Sequence, residues 1–521
     1  ITCFSRVEKH MSHKTKIMKG SASNLLRVAL SMLLAFVLPR LLVHRLSPAE
    51  YSAWVLILQI SAYISLLDLG LQTAIGKLVA EYDAVGDRIA CCRTLSSSVS
   101  ILCASAAVGA AIVAVVAWQV PQLFHQMPAG LIGDVRIGIL VVGMSSVIAL
   151  PFGAFLAAFT GLQSYGFPTA LATISRILTA AGLATLLLLH GTLTQMVWLL
   201  AIFNIATAIG QFLGWRRYAK RFVGFSFRLA DHKSAYQLLK YGSALSIWTI
   251  ANLFVSGLDM VVVGHFDFGN TGYYGIATSV SNFMLLVVSS LFGPMLPAVS
   301  SLQSGRTPQQ LGEIVIKATR YCVLLLCLIG LPLLIGPYPL LKLWVGHDYA
   351  SKSALFLQVL VLGNVIRQIA NPYALVLLAT GQQHLATVAA VAEAAVNLSL
   401  SIYLVQRFGA IGVAMGTLVG AFVSVGLHLT VSMKLTGSTI SMSRRRFALT
   451  GVLRPLLCVI PAALLMTSWK ELGMLPIAIP MILISFLATL AVAWLVGLTS
   501  AERNELMGVF QRRIYSRLSR V

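Results

Sequence analysis

The sequence predicts an all-α polytopic membrane protein of about fourteen transmembrane helices. Three observations predict it. First, 58% of the 521 residues are hydrophobic and only 10% are charged, where a soluble chain carries about 25%. Second, the apolar residues gather into runs of roughly 20, the length a helix needs to cross about 30 Å of hydrocarbon. Third, the few charges are lopsided: 38 Lys and Arg against 16 Asp and Glu, a net charge of +22. Apolar spans with basic loops follow the positive-inside rule, so nucleic acid is not the partner this charge implies.

In chain order the expected spans are 23–43, 52–72, 95–118, 137–159, 169–190, 196–214, 241–264, 274–298, 318–341, 354–379, 385–405, 410–432, 451–469 and 473–497. With the N-terminus inside, 28 of the 38 basic residues fall on the inner side and 7 on the outer. Loop Lys and Arg set orientation, so both termini are expected on the cytoplasmic side of a bacterial inner membrane. The apolar run of the first span is too long for a cleaved signal peptide, and no small-residue cleavage site follows it. Met11 reads as an alternative start of the chain.

The chain is written twice. "PFGAFLAAFTGLQ" (151–163) is echoed by "NPYALVLLATGQQ" (371–383), and "YSAWVL" (51–56) by "TGYYGIA" (271–277). One offset of about 220 residues serves both matches and lays spans one to six over spans seven to twelve. An even number of spans per repeat makes the halves parallel, related by a pseudo-twofold along the membrane normal, with the substrate site expected between them. The expected organisation is a basic cytoplasmic N-terminus (1–22), an N-lobe (23–214), a basic linker (215–240), a C-lobe (241–432), a basic loop (433–450), two further spans (451–497) and a basic tail (498–521). The basic inner loops are expected to lie on anionic lipid headgroups.

Catalytic motifs are missing. "GLQTAIGK" (70–77) has one residue too many between its glycines for a phosphate loop, and Leu78 stands where Ser or Thr is required. No Cys/His cluster has zinc spacing, so no metal and no cofactor is expected, and the seven cysteines read as reduced thiols in core positions. Gly412, Gly416 and Gly420 recur every fourth residue and form a face for close helix packing.

The informative residues are the ionisable ones inside spans: Arg27, Arg40, Asp68, Arg176, Asp259, Arg367 and Glu393. Such residues face a bundle interior or a watery cavity. Arginine forks suit diphosphate oxygens, which makes Arg27, Arg176 and Arg367 the expected substrate ligands. Arg367 and Glu393 lie at similar depth on successive antiparallel spans, where they read equally as a structural pair. Asp68 and Glu393 are the candidates for ion coupling or structural pairing. Arg40 and Asp259 fall at near-equivalent places in the two repeats and are assigned to an outer gate.

"LLDLGLQTAIGKLVAEY" (66–82), "LDMVVVGHFDFGNTGYYGIATSVSNF" (258–283), "GPMLPAVSSL" (293–302) and "RFGAIGVAMGTLVG" (407–420) resemble the polysaccharide-biosynthesis family of membrane proteins, the O-antigen and capsule repeat-unit flippases of the multidrug/oligosaccharidyl-lipid/polysaccharide exporter superfamily. The resemblance implies two six-helix lobes, alternating access, and a substrate that is an undecaprenyl-diphosphate-linked oligosaccharide. It also implies polysaccharide polymerase and glycosyltransferases as partners. Two alternatives stay open: a multidrug/cation antiporter of the same superfamily, for which Asp259 and Glu393 are the candidate cation ligands, and a membrane glycosyltransferase, ligase or polymerase.

The charge reading is tested by reporter fusions. Tags after Gly191 or Trp469 are expected to report the outside, and tags after Lys233 or at the C-terminus the cytoplasm. An outside location for 215–240 contradicts the orientation.

Overall fold

Inside hydrocarbon a backbone polar group finds no water, so a spanning segment must satisfy its own N–H and C=O groups, and a helix does this within one segment. The computed structural model describes residues 36–292, 307–461 and 475–498, with short stretches between and after them, and every regular element among the described residues is helical. Ten of these segments are long and apolar enough to cross a membrane. The expected spans at 23–43, 274–298, 451–469 and 473–497 fall partly outside the described residues, and Arg27 lies wholly outside them. The chain divides into two units, one of residues 1–253 and 260–275, the other of 254–259 and 276–521.

The first unit holds α1 (36–45), α2 (Pro48–Ala62), α3 (Leu71–Ala84), α4 (Arg88–Trp118), α5 (Ala129–Gly161), α6 (Gly166–Leu188), α7 (Leu193–Gly214) and most of α8 (His232–Ser256). Local sequence sets the helix starts. Ser47 and Glu50 form a capping box ahead of α2, with Pro48 in the first turn, and Thr192 and Gln195 form another ahead of α7. The inner core of the unit packs Leu71, Ile75, Leu95, Phe155 and Trp215.

The expected single span at 52–72 is in fact broken. After α2 the chain winds into a 3-10 turn over Tyr63–Asp68, and Leu69 (φ 52°) and Gly70 (φ 67°) both turn left-handed before α3 begins. Glycine takes that conformation freely. The Gly242 Cα packs against the Leu69 carbonyl and leaves no room for a side chain. The helix also runs beyond the apolar stretch to Ala84, supported by a Lys77–Glu81 pair at 3.7 Å and by Lys77 over the Tyr241 ring.

The basic linker is tied down by its backbone. The Trp215 indole donates to the Val223 carbonyl (2.9 Å), Gly224 N–H donates to Cys92 Sγ (3.0 Å), and Ser226 and Asp231 N–H groups donate to Ser96 and Ser97 of α4 (3.2 and 3.0 Å). Arg216, Arg217, Lys220, Arg221 and Arg228 point outward. Not every thiol is buried: Cys103 is exposed and Cys92 half-buried.

The expected span 241–264 is also two pieces. α8 ends at Ser256, Gly257 and Leu258 turn, and α9 (Asp259–Phe266) begins on Asp259. An acid in the first turn of a helix is stabilised by the exposed N–H groups there. The chain then runs through α10 (Phe268–Phe292), whose later part belongs to the second unit.

The second unit continues with α11 (Pro308–Ile335), α12 (His347–Ile369), α13 (Asn371–Ala379), α14 (Gln383–Phe408), α15 (Ala410–Leu427) and α16 (Leu475–Val492). Thr307 and Gln310 cap α11 as a third capping box. Arg320 of α11 binds the C-terminal segments to the unit: its Nε donates to the Thr450 carbonyl (3.0 Å) and its Nη1 to Glu502 Oε2 (2.6 Å). Arg446 pairs with Glu313 at the surface.

Candidate functional site

The glycine face of α15 builds the site. A Cβ on Gly412 would fall 2.7 Å from Val405 N, one on Gly416 2.8 Å from Ser401 N, and one on Gly420 3.1 Å from the Asn397 Cβ. α15 therefore lies directly against the α14 backbone, an approach that only small residues allow. Thr417, beside Gly416 on that face, is brought onto Asn397 and Ser401 of α14.

Asp259 completes the cluster. Its carboxylate accepts a hydrogen bond from Thr417 Oγ1 (2.7 Å), and the Asn397 amide approaches it at 3.5 Å. Ser401 Oγ donates to Asn397 Oδ1 (3.0 Å), and the Ser401 and Thr417 hydroxyls each lie 3.2 Å from the Val413 carbonyl. Thr417 Oγ1 is also 3.3 Å from Asn397 Oδ1. All four side chains are buried, Asp259 at 8% exposure.

Oxygens from five residues thus form one connected, buried polar cluster. The two hydroxyls bring one proton each and are shared among the carboxylate, the amide oxygen and the Val413 carbonyl. A carboxylate is buried only where hydrogen bonds or charges support it, and Thr417 is one donor that does so for Asp259. Hard cations take such all-oxygen sets of carboxylate, hydroxyl, amide and backbone carbonyl, and a single carboxylate in the set matches a single positive charge. No group of three or more His, Cys, Asp or Glu suited to a transition metal occurs among the described residues.

A small cleft opens beside this cluster, lined by Asp259, Ser281, Asn364, Arg367 and Thr417 among others. Arg367 and Glu393 meet there: Nε donates to Oε1 at 2.5 Å, with Glu393 side-chain exposure of 5%. Arg367 Nη1 donates to Asn364 Oδ1 (2.8 Å), and Asn364 donates to Ser281 Oγ (2.7 Å). Glu393 stands one helical turn before Asn397 on the same face of α14.

The other expected residues lie apart. Arg176 sits midway along α6 and is exposed, with Thr173 and Thr179 three residues away on its own face. Asp68 lies at the break before α3; Gln72 N–H approaches its Oδ2 at 3.5 Å, and its Oδ1 is buried with no hydrogen-bond partner among the described residues. Arg40 is exposed on the first unit, where its carbonyl is 2.7 Å from His44 Nδ1. Asn397, Ser401, Val413 and Thr417 were not among the expected site residues. Their signal is the recurrence Glu393, Asn397, Ser401, polar every fourth residue, facing the glycine repeat of α15.

Long broken helices and a buried oxygen cluster inside one helical unit define a class, the multi-pass membrane transporter fold. Solved structures agree. The lipid II flippase MurJ in an inward closed conformation superposes with a TM-score of 0.69 at 16% identity, over 90% of this chain and 98% of that one. An inward-facing multidrug resistance MATE family transporter of the MOP superfamily gives 0.68 at 12% identity, over 79% of this chain and 96% of that one. The probable low-salt glycan biosynthesis flippase Agl15 of Haloferax volcanii is 23% identical over 210 residues, which is 40% of this chain and 44% of that protein. The chain belongs to the polysaccharide biosynthesis protein family, whose model matches residues 17–303.

The packing account makes Gly416 decisive. Gly416→Val is expected to push α15 off α14 and lower the Tm of the purified protein by several degrees, while Gly426→Val, at a glycine with open space around its Cα, leaves it near wild type. Equal Tm values for the two variants contradict the packing account.

Proposed function

We propose that the protein is a flippase that carries lipid-linked oligosaccharide diphosphates from the cytoplasmic to the outer leaflet of a bacterial inner membrane by alternating access, in the synthesis of O-antigen, capsule or exopolysaccharide. The observation that carries the reading is Arg176. An arginine at the middle of a spanning helix, exposed and flanked by threonines on its own face, is too costly against lipid and belongs to a watery surface. A guanidinium on such a surface attracts diphosphate and repels organic cations. Membership of the polysaccharide biosynthesis family supports the same substrate class, as does the flippase name carried by the Haloferax relative.

The oxygen cluster around Asp259 supports cation coupling. A cation entering down its gradient on the second unit would bias one of two conformations, and that bias returns the transporter after the lipid is released. An anionic headgroup leaving a negative interior gains a further ~2.3 kcal/mol per charge per 100 mV. Arg27 and Arg367 remain proposed partners of the substrate's phosphates, and Asp68 of a proton or cation. Anionic lipids fit the outward arginines of 215–240, and the polymerase and glycosyltransferases of the same polysaccharide are the proposed functional partners.

Asp259 has two proposed roles, gate partner of Arg40 and cation ligand. Its hydrogen bond to Thr417 favours the second.

Export in cells tests the reading. Arg176→Ala is expected to stop surface glycan export with protein levels near normal, and Arg176→Lys to restore it only in part, because an ammonium lacks the planar fork. Arg40→Asp combined with Asp259→Arg restores export if the two form a gate and leaves it dead if Asp259 holds the cation. Undiminished export by Arg176→Ala, or efflux of cationic dyes by the wild-type protein in place of glycan export, sinks the flippase reading and favours the multidrug antiporter.

A further inference from the structure

Arg367 uses only part of its donor set. Nε is committed to Glu393 and Nη1 to Asn364, yet Nη2 is buried with no hydrogen-bond partner among the described residues. A guanidinium has five N–H donors and accepts nothing, and a buried donor left without an acceptor is unfavourable. Asn364 fixes the fork, because its own amide is tied in turn to Ser281 (2.7 Å). The unused edge belongs to a side chain that lines the small cleft.

The other walls of the cleft define what that edge can hold. On α10, Thr278, Asn282 and Leu285 share one face at helical spacing, and all three line the cleft. Asn282 stands near the middle of a spanning helix and is exposed. An amide is costly against hydrocarbon, so this face meets water and the cleft is entered from it. Leu360 of α12 adds a second apolar residue to the lining. A buried donor, an amide open to water and two leucines therefore surround one small space.

Charge and shape narrow the ligand. Glu393 already cancels the charge of Arg367 through their ion pair, so Nη2 offers a directed hydrogen bond rather than a net positive charge. That suits a neutral oxygen better than a diphosphate. A hydroxyl would use the donor and leave both leucines idle. An acetamido group uses the whole lining: its carbonyl accepts from Nη2, its N–H reaches the Asn282 side-chain oxygen, and its methyl packs on Leu285 and Leu360. Apolar walls with a few placed polar groups are the usual make-up of a selective small-molecule site.

We propose that the cleft is a sugar subsite and selects an acetamido substituent on the lipid-linked glycan. The cleft is small, so it takes the substituent and leaves the sugar ring on the watery face of α10. The inference rests on the flippase reading and narrows the role of Arg367 within it, from the phosphates to the sugar they carry. It names the substrate class that Arg176 alone leaves open: a glycan with an N-acetylated amino sugar.

Three probes that share one lipid test it: farnesyl diphosphate, the same diphosphate carrying N-acetylglucosamine, and the same carrying glucose. Binding of each to the purified full chain in detergent is the readout. The wild-type protein is expected to bind the N-acetylglucosamine probe about tenfold more tightly than the glucose probe, the worth of one hydrogen bond to a charged donor. Asn282→Ala is expected to remove most of that preference and leave the affinity for farnesyl diphosphate unchanged. Arg367→Gln with Glu393→Gln, which leaves no buried unpaired charge, is expected to remove it as well. Asn282 is exposed, so its variant keeps the test alive if the double variant folds poorly. Equal wild-type affinity for the two sugar probes, as when Nη2 is served by a water alone, overturns the subsite and leaves the flippase reading standing. So does a preference that survives both variants. Weaker binding of all three probes by the double variant returns Arg367 to the phosphates and also overturns it. A wild-type protein that binds none of the three overturns the subsite and the flippase reading together.

Discussion

The close approach of α15 to α14 is the constraint on which the rest of the second unit depends. Gly412, Gly416 and Gly420 remove every Cβ from one face of α15, and the helix settles against the backbone of α14 at Val405, Ser401 and Asn397. Only at that separation does a threonine hydroxyl reach both an asparagine on the neighbouring helix and an aspartate from a third. In water such a contact would be one packing detail among many. In a membrane, where lipid tails are as apolar as leucine, van der Waals packing and interhelical hydrogen bonds carry association. The glycine face supplies the first and positions the second.

The same logic accounts for the breaks. Two spanning segments are interrupted where an aspartate sits: Leu69 and Gly70 follow Asp68, and Gly257 and Leu258 precede Asp259. A helix break frees backbone groups that are otherwise locked in the ladder, and inside a membrane such backbone is tolerated only where protein or a water-filled cavity covers it. Asp259 stands at the start of a new helix, where the free N–H groups favour a negative charge, and Thr417 fixes its carboxylate.

Ten of the expected spans were legible because length and hydropathy leave few alternatives, whereas the capping boxes at Ser47, Thr192 and Thr307 stand in the sequence but were not among the expectations. The Arg367–Glu393 pair was legible too, since antiparallel neighbours at equal depth must meet if both are to be buried. The breaks were not legible. Leu69 and Leu258 are as apolar as any residue in a continuous helix, so a hydropathy pattern runs straight through them. The oxygen cluster was hidden for another reason. Asp259 and Thr417 are 158 residues apart, and the residues between them that matter are serine, asparagine and a backbone carbonyl, none of which carries a charge. The glycine repeat was visible in the sequence, but as packing; its consequence for Thr417 needs three helices in place.

The proposed reading, an ion-coupled lipid transporter, makes one demand above others: the cation gradient must drive the lipid. Reconstituted into vesicles with an undecaprenyl-diphosphate-linked oligosaccharide on one leaflet, the wild-type protein is predicted to expose that glycan to a membrane-impermeant reagent on the other leaflet faster under a sodium gradient than without one, and Asp259→Asn is predicted to abolish the difference. Glycan movement with no dependence on the gradient or on Asp259, or no movement at all while the vesicles exchange cationic dyes, contradicts the account.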